Sequence, residues 1–180
     1  IDINPNDFEI CNNSEAKALN NYHSGNYEIA LNQSIEWFID IPFSKRPVML
    51  GSHIANIFLE NPKIAIQLLE AGLISHPNDP QIINNLAYSY VLENQIQKAE
   101  DYILMLKEPS KIPLSTKICL IATQGLIAFR KGNNLEGSRL YEEAIDHANR
   151  LNLKQYSWLA RLNYANELIL TGTDQREKIL

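Results

Sequence analysis

Four small residues, Ala30, Ala65, Ala99 and Gly137, recur along this chain at intervals of 35, 34 and 38 residues. Residues this small are needed where two helices cross closely, because a longer side chain forces their axes apart. Three of them have a small partner twelve positions upstream: Ala18 before Ala30, Ala87 before Ala99 and Gly125 before Gly137. Two small residues so spaced, with a turn between them, describe a helical hairpin. A hairpin repeated in series can bury its apolar face only against the next one, so this recurrence limits the fold more than any other feature.

The residues between the markers agree. Ile82, Ile83, Leu86, Ala87, Tyr90 and Val91 recur at threes and fours, as do Ile96, Ala99, Tyr102, Ile103 and Leu106. Each set predicts an amphipathic helix, with Glu93-Asn94-Gln95 as the turn. Large apolar residues follow the markers by four at Leu69, Ile103 and Tyr141, although Ser34 interrupts the series. Trp37, Leu106 and Ala144 follow by seven. Turn glycines precede the marker by five at Gly25 and Gly132. Pro42 and Pro77 follow it by twelve, where a proline ends a helix. Alternating strand-type runs are absent.

Two repeats depart from the pattern. Twelve before Ala65 stands His53, a register that would bury Ser52 and Asn56. Taking Gly51 as the small residue instead places Leu50, Gly51, Ile54, Ile57 and Phe58 on the buried face. Burying Leu, Ile or Phe is worth about 1.5–3 kcal/mol each, and an unpaired buried amide costs a similar amount, so the Gly51 register is preferred. It lengthens the turn by two, with Asn61 capping the next helix and Pro62 at its first position. A fifth repeat begins with Trp158, Arg161, Tyr164, Ala165 and Leu168 and turns at Gly172. Its second helix would start near Asp174, with Glu177 at the marker and the chain ending at Leu180.

In these residues the chain resembles the tetratricopeptide repeat family. The best matches are Asn85-Leu86-Ala87-Tyr88-Ser89-Tyr90 running to Lys98-Ala99, Gly25 through Leu31, and Gly125 through Gly132 to Tyr141 and Ala144. The resemblance implies an all-α protein, a right-handed α–α superhelix of four to five hairpins. The repeats would span 11–44, 45–79, 80–113 and 118–151, with an incomplete one at 155–180, after a flexible lead-in at 1–10. It also implies a piece of a longer protein, since a half-repeat does not cap an array.

Net charge is −5 and no basic run exceeds Lys45-Arg46 or Arg130-Lys131, which argues against nucleic acid. No apolar run approaches the ~20 residues that span a bilayer. Two cysteines far apart, Cys11 and Cys119, fit reduced thiols and a cytoplasmic setting. The chain begins at Ile1 and not at Met, so an export signal stays open.

The residues point to no catalysis, no metal and no cofactor. His23, His53, His76 and His147 form no i,i+4 pair. Gly132-Asn133-Asn134-Leu135-Glu136-Gly137-Ser138 has a serine where a phosphate loop has lysine, and it follows a helix and not a strand. Cys119 lies near a helix start without a histidine beside it and reads as a small packing residue. Glu142-Glu143 and Glu100-Asp101 diverge on their helices and read as solvated faces.

In the family, first helices line the concave face. Carried over, the partner-binding positions are Tyr22, Asn56, Asn84, Asn85, Tyr88, Thr123, Phe129, Arg130 and Asn163. Asparagine amides both donate and accept, which suits an extended peptide backbone, and Tyr88 and Phe129 could hold an apolar anchor. The family's clamp for acidic chaperone tails is not reproduced: Val48, Ser52, Cys119 and Thr123 stand in its places and only Asn85 matches. The function expected is a non-catalytic scaffold for a protein or peptide. The alternative is the ligand-sensing half of a bacterial transcriptional regulator. An enzyme domain outside the chain has no support in these residues. The competing contact is the unfinished fifth repeat, near Trp158 and Tyr164, packing on missing sequence or on a second copy.

Overall fold

The structure is a computed structural model and describes residues 13–106 and 112–172. Among the described residues there are nine helices and no strand. The all-α reading therefore holds. The lead-in, Cys11 and the positions of Asp174 and Glu177 lie outside the described residues. Chain contacts divide the protein into two compact units, Ile1–Ile82 and Ile83–Leu180.

The first unit holds α1 (Ser14–His23), α2 (Tyr27–Asp40), α3 (Arg46–Ile57) and α4 (Pro62–Ser75). Each helix packs on the one before it. Helices that pack together across a three- to five-residue connection must run antiparallel. The ends follow local chemistry. Asn13 caps α1 by accepting from the Glu15 amide at 2.8 Å. Asn61 accepts from the Ile64 amide at 3.3 Å, with Pro62 opening α4 as the sequence implies. Ala30, Leu31, Ile54, Ala55, Ala65 and Leu68 form the core. Ser34 is fully buried and donates to the Ala30 carbonyl at 2.8 Å, so its hydroxyl costs little there.

The second repeat follows the Gly51 register only in part. A Cβ on Gly51 would lie 2.9 Å from Leu68 Cδ1, so the close approach to α4 falls at the glycine. Ile57 and Phe58, expected inside, are 42% and 37% exposed, while Ser52 and Ala55 are buried. The buried face has turned because α3 packs on α2 and α4 at once. Ser52 is tolerated because its hydroxyl donates to the Met49 carbonyl at 3.2 Å.

The second unit contains the rest of α5 (Pro80–Leu92), which begins in the first, then α6 (Ile96–Leu104), α7 (Leu114–Arg130), α8 (Asn134–Arg150) and α9 (Lys154–Leu170). α7 packs on α6, α8 and α9, and α8 packs on α9. The predicted turn at Glu93-Asn94-Gln95 is where α5 gives way to α6. Leu106, read as part of α6, lies beyond its end. The Gly125–Gly137 pairing is direct: a Cβ on Gly125 would come within 3.2 Å of the Gly137 carbonyl. A Cβ on Gly137 would lie 2.5 Å from the Phe129 ring, so the marker glycine makes room for an aromatic side chain on the facing helix.

The fifth-repeat stripe is corrected. Trp158 is 71% exposed, and the buried face of α9 is Ser157, Ala160, Tyr164, Glu167 and Leu168. Ala160 lets α9 lie close to its neighbours, and Glu167 is compensated by a cation described below.

Candidate functional site

In the second unit, Glu167 of α9 is 4% exposed at its side chain, and Arg130 at the end of α7 donates to its Oε1 at 2.8 Å. Tyr88 on α5 and Tyr141 on α8 lie within the field of both charges. Burial raises the Glu167 carboxyl above the ordinary glutamate range, and Arg130 opposes that rise without cancelling it. Burial likewise raises both tyrosine hydroxyls, and the Glu167 charge pushes each further up. Tyr141 stacks on Tyr164 with ring centroids 5.3 Å apart, and Phe129 packs against both. The Tyr164 hydroxyl donates to Glu142 Oε1, 3.4 Å off.

Of the positions carried over from the family, the structure places Tyr88 and Arg130 about this carboxylate. Asn163 is half-buried one helical turn before Glu167 on α9. Asn85 is half-buried on α5. Asn84, Thr123 and Phe129 are each 4% exposed and act in packing, so Phe129 offers no surface anchor. Arg130 is not a free cation awaiting a ligand carboxylate, because Glu167 already neutralises it. Glu167 itself was missed. Its signal is a lone acid on the apolar face of Ala160, Tyr164 and Leu168, which only a cation from another helix could make tolerable.

In the first unit, Tyr22 lies edge-on to His23, Tyr27, His53 and Phe58, with centroids 5.5–6.2 Å away. Its hydroxyl is 3.3 Å from His53 Nε2. Tyr27 stacks on Phe58 at 3.9 Å. Partial desolvation among these rings lowers the His53 pKa below its ordinary value, although the residue stays exposed at the surface. Asn56 is half-buried on the same helix as His53. Tyr27 and His53, which are not among the expected partner-binding positions, join this cluster, and so does Phe58, which is expected in the core but is 37% exposed.

Cys119 sits well inside α7, and burial raises its thiol to about 11, so it is protonated at neutral pH. Among the described residues no group of three His, Cys, Asp or Glu could hold a metal ion. No described helix is long and apolar enough to cross a membrane. The chain matches no protein-family model, no curated protein and no solved structure.

Proposed function

We propose that this chain is a tetratricopeptide-like scaffold, its hairpins arranged as an α–α superhelix, that binds a protein or an extended peptide without catalysis. Support for the repeat comes from the backbone. Gly25, Glu60, Asn94, Gly132 and Gly172 all have positive φ. They follow one another at 35, 34, 38 and 40 residues. The first four each stand two residues before α2, α4, α6 and α8, so a left-handed turn recurs at the period of the small markers, with one further such turn at Asn152 before α9.

The observation that carries the binding role is the half-buried Tyr88 beside the Arg130–Glu167 pair. A half-buried tyrosine near a pair whose charges compensate each other favours an uncharged polar backbone. The test is to immobilise the chain and capture its partner from native-cell extract, comparing wild type with Tyr88→Ala/Asn163→Ala. Neither residue neutralises Glu167, so the fold should survive, as circular dichroism would verify. Capture is expected to fall at least tenfold; undiminished capture overturns the assignment.

A second reading rests on α9. Trp158, Leu162 and Ile169 lie along one side of the helix and are 71%, 68% and 70% exposed. That apolar stripe would meet a second copy of the chain. Sedimentation would then give a dimer that Trp158→Ser/Leu162→Ser converts to monomer.

A further inference from the structure

The second unit has another concavity, on a different side of α7 from Arg130. α6, α7 and α8 line an open cleft of about 700 Å³, within the range of ligand sites. Ile103, Ile127, Ala128 and Leu140 supply its apolar lining, and Leu104 stands 73% exposed at its lip. Gln97 to Leu104 form the α6 wall and Gln124 to Lys131 the α7 wall. Each wall is seven helical steps long, about 10 Å, which matches roughly three extended residues.

The charges around the cleft decide what fits. Lys131 donates to Glu100 Oε1 at 2.7 Å. Arg139 donates to both Glu136 oxygens, at 2.7 and 2.8 Å, and to Glu143 at 2.9 Å. Among the described residues the cations lining the cleft, Lys131 and Arg139, therefore each already have an anion. A charged ligand would have to displace an existing pair, whereas an uncharged one would not. The Gln124 amide in the wall can donate to and accept from a peptide group.

We propose that this cleft is a second binding site, for a short uncharged extended segment of a partner protein. An aliphatic side chain of that segment sits on Ile103, Ile127 and Leu140, and its backbone meets Gln124. The site is separate from the Tyr88 surface and stands without it.

The experiment titrates the isotope-labelled chain with acetyl-Leu-Ala-Leu-amide and follows nuclear magnetic resonance shifts. The Ile103, Ile127 and Leu140 methyls should move saturably while the Tyr88 and Asn163 signals stay still. Acetyl-Glu-Ala-Glu-amide should bind at least tenfold more weakly. Leu104→Glu, at a position too exposed to unfold the chain, should weaken the neutral peptide by a similar factor. Shifts confined to Tyr88 and Asn163, equal binding of both peptides, or no shifts at millimolar peptide would each overturn the proposal. Failure of the Tyr88 surface would leave the cleft shifts unchanged.

Discussion

Arg130 on α7 donates to Glu167 on α9 across 37 residues of sequence, at 2.8 Å. The arginine side chain remains 32% exposed while the carboxylate is almost wholly covered. The pair is therefore lopsided: the anion bears most of the desolvation, and the cation keeps part of its water. Because the Glu167 pKa is raised despite the arginine, burial outweighs attraction, and the neutral carboxyl suits the fold better than the charged one.

That imbalance predicts opposite outcomes for the two partners. Arg130→Met leaves a covered, uncompensated carboxylate and should cost roughly 2–3 kcal/mol at pH 7, somewhat under the loss for a fully buried pair. A folded-state pKa above the unfolded one gives a contribution present below the unfolded value and lost as pH rises through the folded value. The Arg130→Met penalty should therefore shrink as pH falls from 7 to 5. Glu167→Gln keeps an acceptor for Arg130 without the charge and should stay within about 1 kcal/mol of wild type at pH 7. Urea unfolding of the three proteins at both pH values decides; a penalty for Arg130→Met that does not change with pH would refute this account.

The turns make a separate prediction. Glu60 has φ +47°, where any residue with a Cβ is strained, yet it occupies the place that Gly25 and Gly132 hold elsewhere. Glu60→Gly should raise stability by roughly 0.5–1 kcal/mol, the relief of strain outweighing the added freedom of the unfolded chain. Glu60 is exposed, so no packing is lost. A lower melting temperature for Glu60→Gly would mean that the carboxylate holds the turn.

The same residue explains what could be read in advance. Gly25 and Gly132 announced their turns because glycine is the residue expected at positive φ. Glu60 occupies the equivalent backbone position silently, and only its distance from Ala65 hints at it. Helix existence was legible because apolar spacing records burial within one helix. Which side of α9 turns inward was not, because Trp158 and Glu167 are decided by neighbours: the helix follows Ala160 and Tyr164, and Arg130 makes the acid acceptable. Phe129 looked like a surface anchor for the same reason. Nothing local to it reveals that Gly137, on the facing helix, has left space for its ring.

Asp79 should respond to pH in the sense opposite to Glu167. Its Oδ1 accepts from the amides of Gln81 at 2.9 Å and Ile82 at 3.2 Å, capping α5 immediately before Pro80. Its Oδ2 takes a bond from Lys45 Nζ at 2.7 Å, and the same ammonium reaches Gln81 Oε1 at 2.7 Å. Burial alone would raise this carboxyl, but the bonds from Lys45, Ile82 and Gln81 outweigh it and hold the pKa below the ordinary range. A depressed folded pKa contributes stability above the unfolded value, near 3.9, and loses it as pH falls through the folded value. Asp79→Ala should cost about 1–2 kcal/mol at pH 7, since it removes a helix cap and one of the two partners of Lys45. Asp79→Asn keeps an acceptor for the cap and loses only the charge, so its cost should be about 0.5–1 kcal/mol, discounted because Lys45 is 38% exposed. Thermal melts at pH 7 and pH 3 separate the two contributions. The Asp79→Asn deficit should shrink at pH 3, which lies below the unfolded value near 3.9, while part of the Asp79→Ala deficit persists through the missing cap. If the asparagine variant loses as much at pH 3 as at pH 7, the lysine contact contributes nothing and the cap alone explains Asp79.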